Sequence, residues 1–77
     1  MYVHTLEFTS ASQLARAYEE LATDGAIEDC SIELDLLRIR FLAPPSRAAQ
    51  LVERIYLDGG LRFASCHPAT PVVMGPA

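Results

Sequence analysis

The side chains best suited to metal or thiol chemistry in this 77-residue chain are two cysteines and two histidines, and one of each stands side by side in "RFASCHPAT", at Cys66 and His67. An imidazole next to a thiol can serve as the base of a nucleophilic cysteine, and both groups are good ligands for zinc. The other histidine, His4, lies in the opening stretch "MYVHTLEF", and the other cysteine, Cys30, in "IEDCSIEL". A second set is basic. All six cationic side chains are arginine and none is lysine, which removes lysine Schiff-base chemistry from this chain. Arg38, Arg40 and Arg62 fall in strand-like sequence, where the planar guanidinium fork suits a carboxylate or a phosphate.

What these residues do depends on the elements that carry them. Tyr2, His4, Leu6 and Phe8 alternate with Val3, Thr5 and Glu7, the period of a half-buried strand. "SASQ" at 10–13 reads as a capping box, with Ser10 accepting from the backbone at Gln13 and Gln13 reaching back. Leu14, Ala17, Tyr18, Leu21 and Ala22 then recur at helical spacing up to Asp24-Gly25. The stretch 26–42 alternates throughout and reads as a hairpin of 26–33 and 36–42 turning at Leu34-Asp35. In it Cys30, Ile32, Leu37, Ile39 and Phe41 share one face, and Asp29, Ser31, Glu33, Arg38 and Arg40 the other. "APPS" starts a second helix with proline in its first turn, striped by Ala48, Leu51, Val52, Ile55 and Tyr56 and ended by Asp58-Gly59-Gly60. "LRFASC" is the last strand, expected to turn Leu61 and Phe63 to the same side as the core.

Strand, helix, strand, strand, helix, strand, with right-handed crossovers, is the order of the ferredoxin-like split-βαβ sandwich. The expected fold is therefore α+β: a four-stranded antiparallel sheet, in the order last, first, third, second, with both helices on one face. It occupies residues 1–67 as a single domain, and the charge-free, proline-rich residues 68–77 read as a tail. The resemblance is architectural and by itself assigns no activity.

This topology tests the cysteines and histidines. Cys30 and Cys66 fall on opposite edge strands, three strand spacings or about 14 Å apart. A disulfide needs Cα atoms within about 7 Å, so the two thiols neither bridge nor share one metal in a monomer. His4, Cys66 and His67 meet near the end of the last strand, but alternation is expected to turn His4 inward and Cys66 outward. The chain also lacks the Cys-x-x-Cys loop of the ferredoxin-like heavy-metal-associated domains. No metal, cofactor or catalytic thiol is expected, and His4, Tyr18 and Tyr56 read as partly buried rings with their polar ends toward partners or water.

The helix-free face is expected to carry rows of Arg62, Glu7, Arg38 and Ser31, and of Ala64, Thr5, Arg40 and Asp29. Opposite charges across strands explain that pattern as a solvated ladder, and a binding role for Arg38, Arg40 and Arg62 toward an anion or acidic protein surface is the sharper alternative. RNA-recognition domains share the topology but carry stacking aromatics where this chain has Val3, Thr5, Arg38 and Arg40. With a net charge of −4 as well, no nucleic-acid partner is expected.

No apolar run approaches the roughly 20 residues that span a bilayer, and the first residues have neither the basic start nor the apolar core of a signal peptide. A cytoplasmic chain with reduced cysteines is expected. Many alanines and arginines without lysine fit a GC-rich bacterial genome. No nucleophile elbow or phosphate-binding glycine loop is present, so the chain is read as no enzyme. The expected role is a small protein-interaction or regulatory module that pairs with itself or another protein. The alternatives are an ACT-like domain sensing a small molecule or anion, and a metal-binding protein using His4, Cys66 and His67.

Overall fold

A computed structural model describes residues 2–68. The elements run β1 (Tyr2–Phe8), α1 (Ala11–Ala22), β2 (Glu28–Glu33), a single 3-10 turn (Leu34–Leu36), β3 (Arg38–Ala43), α2 (Pro45–Asp58) and β4 (Leu61–Pro68). The sheet is antiparallel with the order β2-β3-β1-β4, the ferredoxin-like arrangement expected from the sequence. β4 continues one residue into the expected tail, and the rest of that tail, 69–77, lies outside the described residues.

Local chemistry explains where each helix begins and ends. Ser10 is extended (φ −150°, ψ 158°) and its hydroxyl accepts from the Gln13 N–H at 3.3 Å, satisfying one of the orphan donors of the first turn. Gln13 does not return the bond among the described residues; its side chain lies against Gly60 instead. A side chain at Gly60 would collide with Gln13, and its φ of +86° already favours glycine. The close pass lets Thr9 N–H bond the Gly60 carbonyl at 2.9 Å, joining the start of α1 to the entry of β4. Pro44 and Pro45 open α2, where a missing N–H costs nothing. Asp24 clamps the turn after α1: its carboxylate accepts from Ala26 N–H at 2.9 Å and from Arg47 Nε at 3.1 Å, with Arg47 Nη2 also paired to it. The Arg47 guanidinium, then the Ala26 amide, hold the Asp24 carboxyl below its ordinary range.

The core lies between the helices and one sheet face. Leu6, Phe8, Ile39, Phe41 and Ala43 from β1 and β3 meet Leu14, Ala17 and Leu21 of α1 and Ala48, Leu51 and Ile55 of α2, all buried. Burying Phe8 or Phe41 contributes about 1.5–3 kcal/mol each, so these central strands carry much of a thin stability margin. Tyr18, Cys30, Leu37, Val52 and Leu61 cover the core's rim. Tyr56 does not; it is 66% exposed, one position past the stripe that α2 turns inward.

The β2–β3 hairpin differs from the expected one. Glu33 pairs with Arg38, so four residues rather than two make the loop, and Leu37 closes it in the left-handed region at φ +52°. The longer loop moves the register: Ser31 lies opposite Arg40 and Glu33 opposite Arg38, where Asp29 and Ser31 were expected. A bulge between Glu28 and Ser31 absorbs one further residue, with Asp29 at φ +50°. Because a left-handed conformation strains any side chain, Asp29→Gly is expected to stabilise the domain by about 0.5–1 kcal/mol in chemical denaturation. A loss of stability would show that the Asp29 side chain supports the bulge.

Candidate functional site

The phase of β4 decides which of its residues meet the helices. From Tyr2↔Pro68 the register runs through Val3↔His67, His4↔Cys66, Thr5↔Ser65, Leu6↔Ala64 and Glu7↔Phe63, then jumps to Phe8↔Leu61. Arg62 is the extra residue of a bulge. The sequence pattern was expected to hold Leu61 and Phe63 on one face; the bulge reverses the strand's phase after Leu61. Phe63 therefore stands beside Glu7 on the helix-free face, 53% exposed, while Ala64 and Cys66 turn toward the helices. The same reversal brings Cys66 onto the side of His4, contrary to the expected alternation.

His4 and Cys66 line one groove of about 310 Å³ with Leu6, Ala64, Pro45, Ala48, Ala49 and Val52. Its origin is side-chain size. Ala64 and Cys66 on β4 face Ala48 and Ala49 on α2, and residues this small do not fill the space between strand and helix. His4 is 6% exposed, and its ring stacks on Phe41 with centroids 5.1 Å apart and planes 20° from parallel. Its Nε2 is buried with no hydrogen-bond partner among the described residues. Burial holds the His4 imidazole below its ordinary pKa; the Ala43 carbonyl opposes this, and His67 adds to it. The ring is neutral near pH 7.

His67 lies opposite Val3 on the other face, so of the metal alternative's three residues His4 and Cys66 converge and His67 does not. Among the described residues no group of three or more His, Cys, Asp and Glu side chains gathers for a metal ion. Both thiols are free, on opposite edge strands as expected; burial pushes the Cys30 thiol up, away from reactivity.

The arginines are spread and largely occupied. Arg38 bridges Glu7 (3.3 Å) and Glu33 (3.4 Å), and Arg40 reaches Glu33 at 3.9 Å. Arg62 sits in the bulge at the far edge, exposed, with Phe63 in the place expected for it opposite Glu7. The helix-free face is thus a ladder of Phe63, Glu7, Arg38 and Glu33, then Ser65, Thr5, Arg40 and Ser31, then His67, Val3, Leu42 and Glu28. On the opposite side of the molecule a shallow trough of about 1010 Å³ runs between the outer surfaces of the helices, where Arg16–Asp58 (2.9 Å) and Arg54–Glu20 (3.0 Å) already pair.

The second distinctive feature is the outer edge of β4, which is unpaired among the described residues. Seven of its eight residues are exposed, and 63–68, Phe-Ala-Ser-Cys-His-Pro, carry no carboxylate, lysine or arginine. β2, the other edge, is short, bulged and acidic, with Glu28, Asp29 and Glu33. Sequence reasoning missed the groove and the exposed Phe63 because both follow from the bulge. The signal that could have found the groove is the facing of small residues, "FASC" against "SRAAQ". No helix of the described residues is long and apolar enough to cross a membrane. Comparison of the chain with known protein families, with curated proteins and with solved structures finds no match.

Two outcomes test this electrostatic reading. Arg38→Ala leaves Glu7 and Glu33 without their shared cation and is expected to cost about 1 kcal/mol in denaturant titration, less at high salt. Arg40→Ala should cost less, and equal effects would contradict the bridging role. For His4 the folded-state pKa lies below that of the unfolded chain, so the unfolded chain takes up a proton first. The stability this provides is present above about pH 6.5 and is lost as pH falls toward the folded value. His4→Phe should flatten that slope; parallel stability curves for the two proteins would refute it.

Proposed function

We propose that the chain is a small non-catalytic interaction module that associates with a second copy of itself through the outer edge of β4. One observation carries this reading: β4 presents eight residues of strand whose outer side is unpaired among the described residues, with no carboxylate, lysine or arginine from Phe63 onward. Soluble proteins block such edges with charge, proline, bulges or brevity. β2 uses three of these devices along its length, whereas those of β4 stand at its ends, the bulge with Arg62 at its entry and a proline at its exit. Antiparallel pairing of two β4 strands satisfies backbone groups on both copies and covers part of Phe63. Backbone pairing needs no complementary charge, which suits two copies that each carry a net charge of −4. A domain of this size gains stability from association. The two free cysteines fit a reducing, cytoplasmic setting. Arg38 and Arg40 stabilise the helix-free face in this reading, because Glu7 and Glu33 already take the place that a ligand's carboxylate would fill.

Sedimentation of the full chain across the micromolar range tests the proposal. A concentration-dependent dimer is expected, converted to monomer by Ser65→Lys with an unchanged far-ultraviolet circular dichroism spectrum. A chain that stays monomeric at high micromolar concentration, or a Ser65→Lys variant that still pairs, would overturn it.

A further inference from the structure

Self-association leaves the groove between β4 and α2 unexplained. Ala48, Ala49 and Val52 of α2 face Ala64 of β4 across it, its polar members are His4, Ser65 and Cys66, and no charged side chain lines it. Ala64 and Cys66 turn toward the helices and are nevertheless exposed, so the seam opens to the surface there instead of closing at native packing density. The register shows where the groove lies relative to the rest of the chain. Tyr2 pairs with Ala43 on one side and with Pro68 on the other. The last residue of β3, two before α2 begins at Pro45, is therefore at the same end of the sheet as the last residue of β4. Measured from that end, Ala64 is four strand residues back from Pro68, about 13 Å, and Val52 is seven helical residues in from Pro45, about 10 Å. The groove thus begins beside the point from which residues 69–77 continue.

We propose that residues 72–74 of the same chain fold back over this groove and close it. The sequence after Pro68 is "ATPVVMGPA", which holds no charged side chain and groups its apolar bulk at Val72, Val73 and Met74. Extended residues span at most about 3.3–3.6 Å each, so 69–71 suffice for the reversal and 72–74 then lie over Ala48, Ala49 and Ala64. Pro71 suits that reversal, because its fixed φ matches the second position of a turn. Hydrocarbon and thioether side chains match a lining without charge, and the thioether adapts to an irregular seam. The tether decides the occupant. A short connection from Pro68 gives these side chains an effective concentration on the order of millimolar, which a second copy at micromolar concentration does not reach. The contact uses the helix-facing side of β4 and leaves both its outer edge and Phe63 free, so it goes beyond the pairing of two copies and does not compete with it.

The test uses isotopically labelled full chain mixed with an excess of unlabelled chain, so that nuclear Overhauser contacts within one chain are separated from those between copies. Contacts from the Val72, Val73 and Met74 methyl groups to Ala48, Ala49, Val52 and Ala64 are expected within the labelled chain. The double variant Val72→Asn/Val73→Asn should lose them with an unchanged far-ultraviolet circular dichroism spectrum. It should also raise the rate of Cys66 alkylation by iodoacetamide about tenfold, the population change that follows from losing one buried valine. The half-buried Cys30 thiol is the internal reference and should react at the same rate in both proteins. The proposal falls if the wild-type chain shows no such contacts, if they join only labelled to unlabelled copies, or if the same methyl groups contact Phe63 or Val3 on the helix-free face. It falls equally if the double variant leaves Cys66 alkylation unchanged. Pairing of two β4 edges is decided separately by sedimentation, because contacts within one chain are recorded the same way in a monomer and in a pair.

Discussion

One extra residue in β4 governs the surface of this protein. Backbone pairing with β1 fixes the strand at both ends, at Phe8↔Leu61 and Tyr2↔Pro68, and Arg62 must be accommodated between Leu61 and Phe63. Since side chains in a strand alternate with period two, one inserted residue exchanges the faces of everything beyond it. Phe63 and His67 go to the helix-free side, and Ala64 and Cys66 to the side of α2. Had the phase run without the bulge, Phe63 would have entered the interior and filled the seam that is now open. The groove, the pairing of His4 with Cys66 and the exposed aromatic ring are three results of the same backbone event.

The two margins of the sheet are built by opposite logic. β2 concentrates carboxylates and a left-handed Asp29, which spoil the row of backbone groups that another strand would need. β4 keeps a regular ladder from Tyr2↔Pro68 to Glu7↔Phe63 and carries small or neutral side chains. Between them the central strands hold the large apolar residues, and the Glu7–Arg38–Glu33 bridge ties three strands together across the face that no helix covers. The buried apolar residues are concentrated in the middle of the sheet, while the open groove and the neutral stretch of edge strand lie at one side.

Much of the architecture was legible in the sequence, because it follows from patterns that repeat. The alternation of Tyr2 to Phe8, the helical stripes ending at Asp24-Gly25 and at Gly59-Gly60, and the breaker "APPS" each appear where the elements begin and end. The order of strands followed from crossover rules. What escaped were single-residue irregularities: the four-residue loop closed by Leu37, the bulge at Asp29 and the bulge at Arg62. None carries the glycine or asparagine that would normally mark a left-handed turn, and a period-two pattern reads the same on either side of an inserted residue. The arginines illustrate the result. Their face was read correctly for Arg38 and Arg40, but their partners were displaced by two positions along β2, and Arg62 was assigned a neighbour that belongs to Phe63.

The contrast between the margins also sets an upper bound on assembly. A layer with two adhesive rims can add copies without end and grow into a fibril. Here the acidic, kinked rim at β2 repels further addition, so once the neutral rims of two molecules meet, what remains outward on both ends is the rim that refuses a neighbour. Under the proposed pairing such a molecule would close at a two-fold pair rather than polymerise, with Glu28 and Asp29 as the terminator.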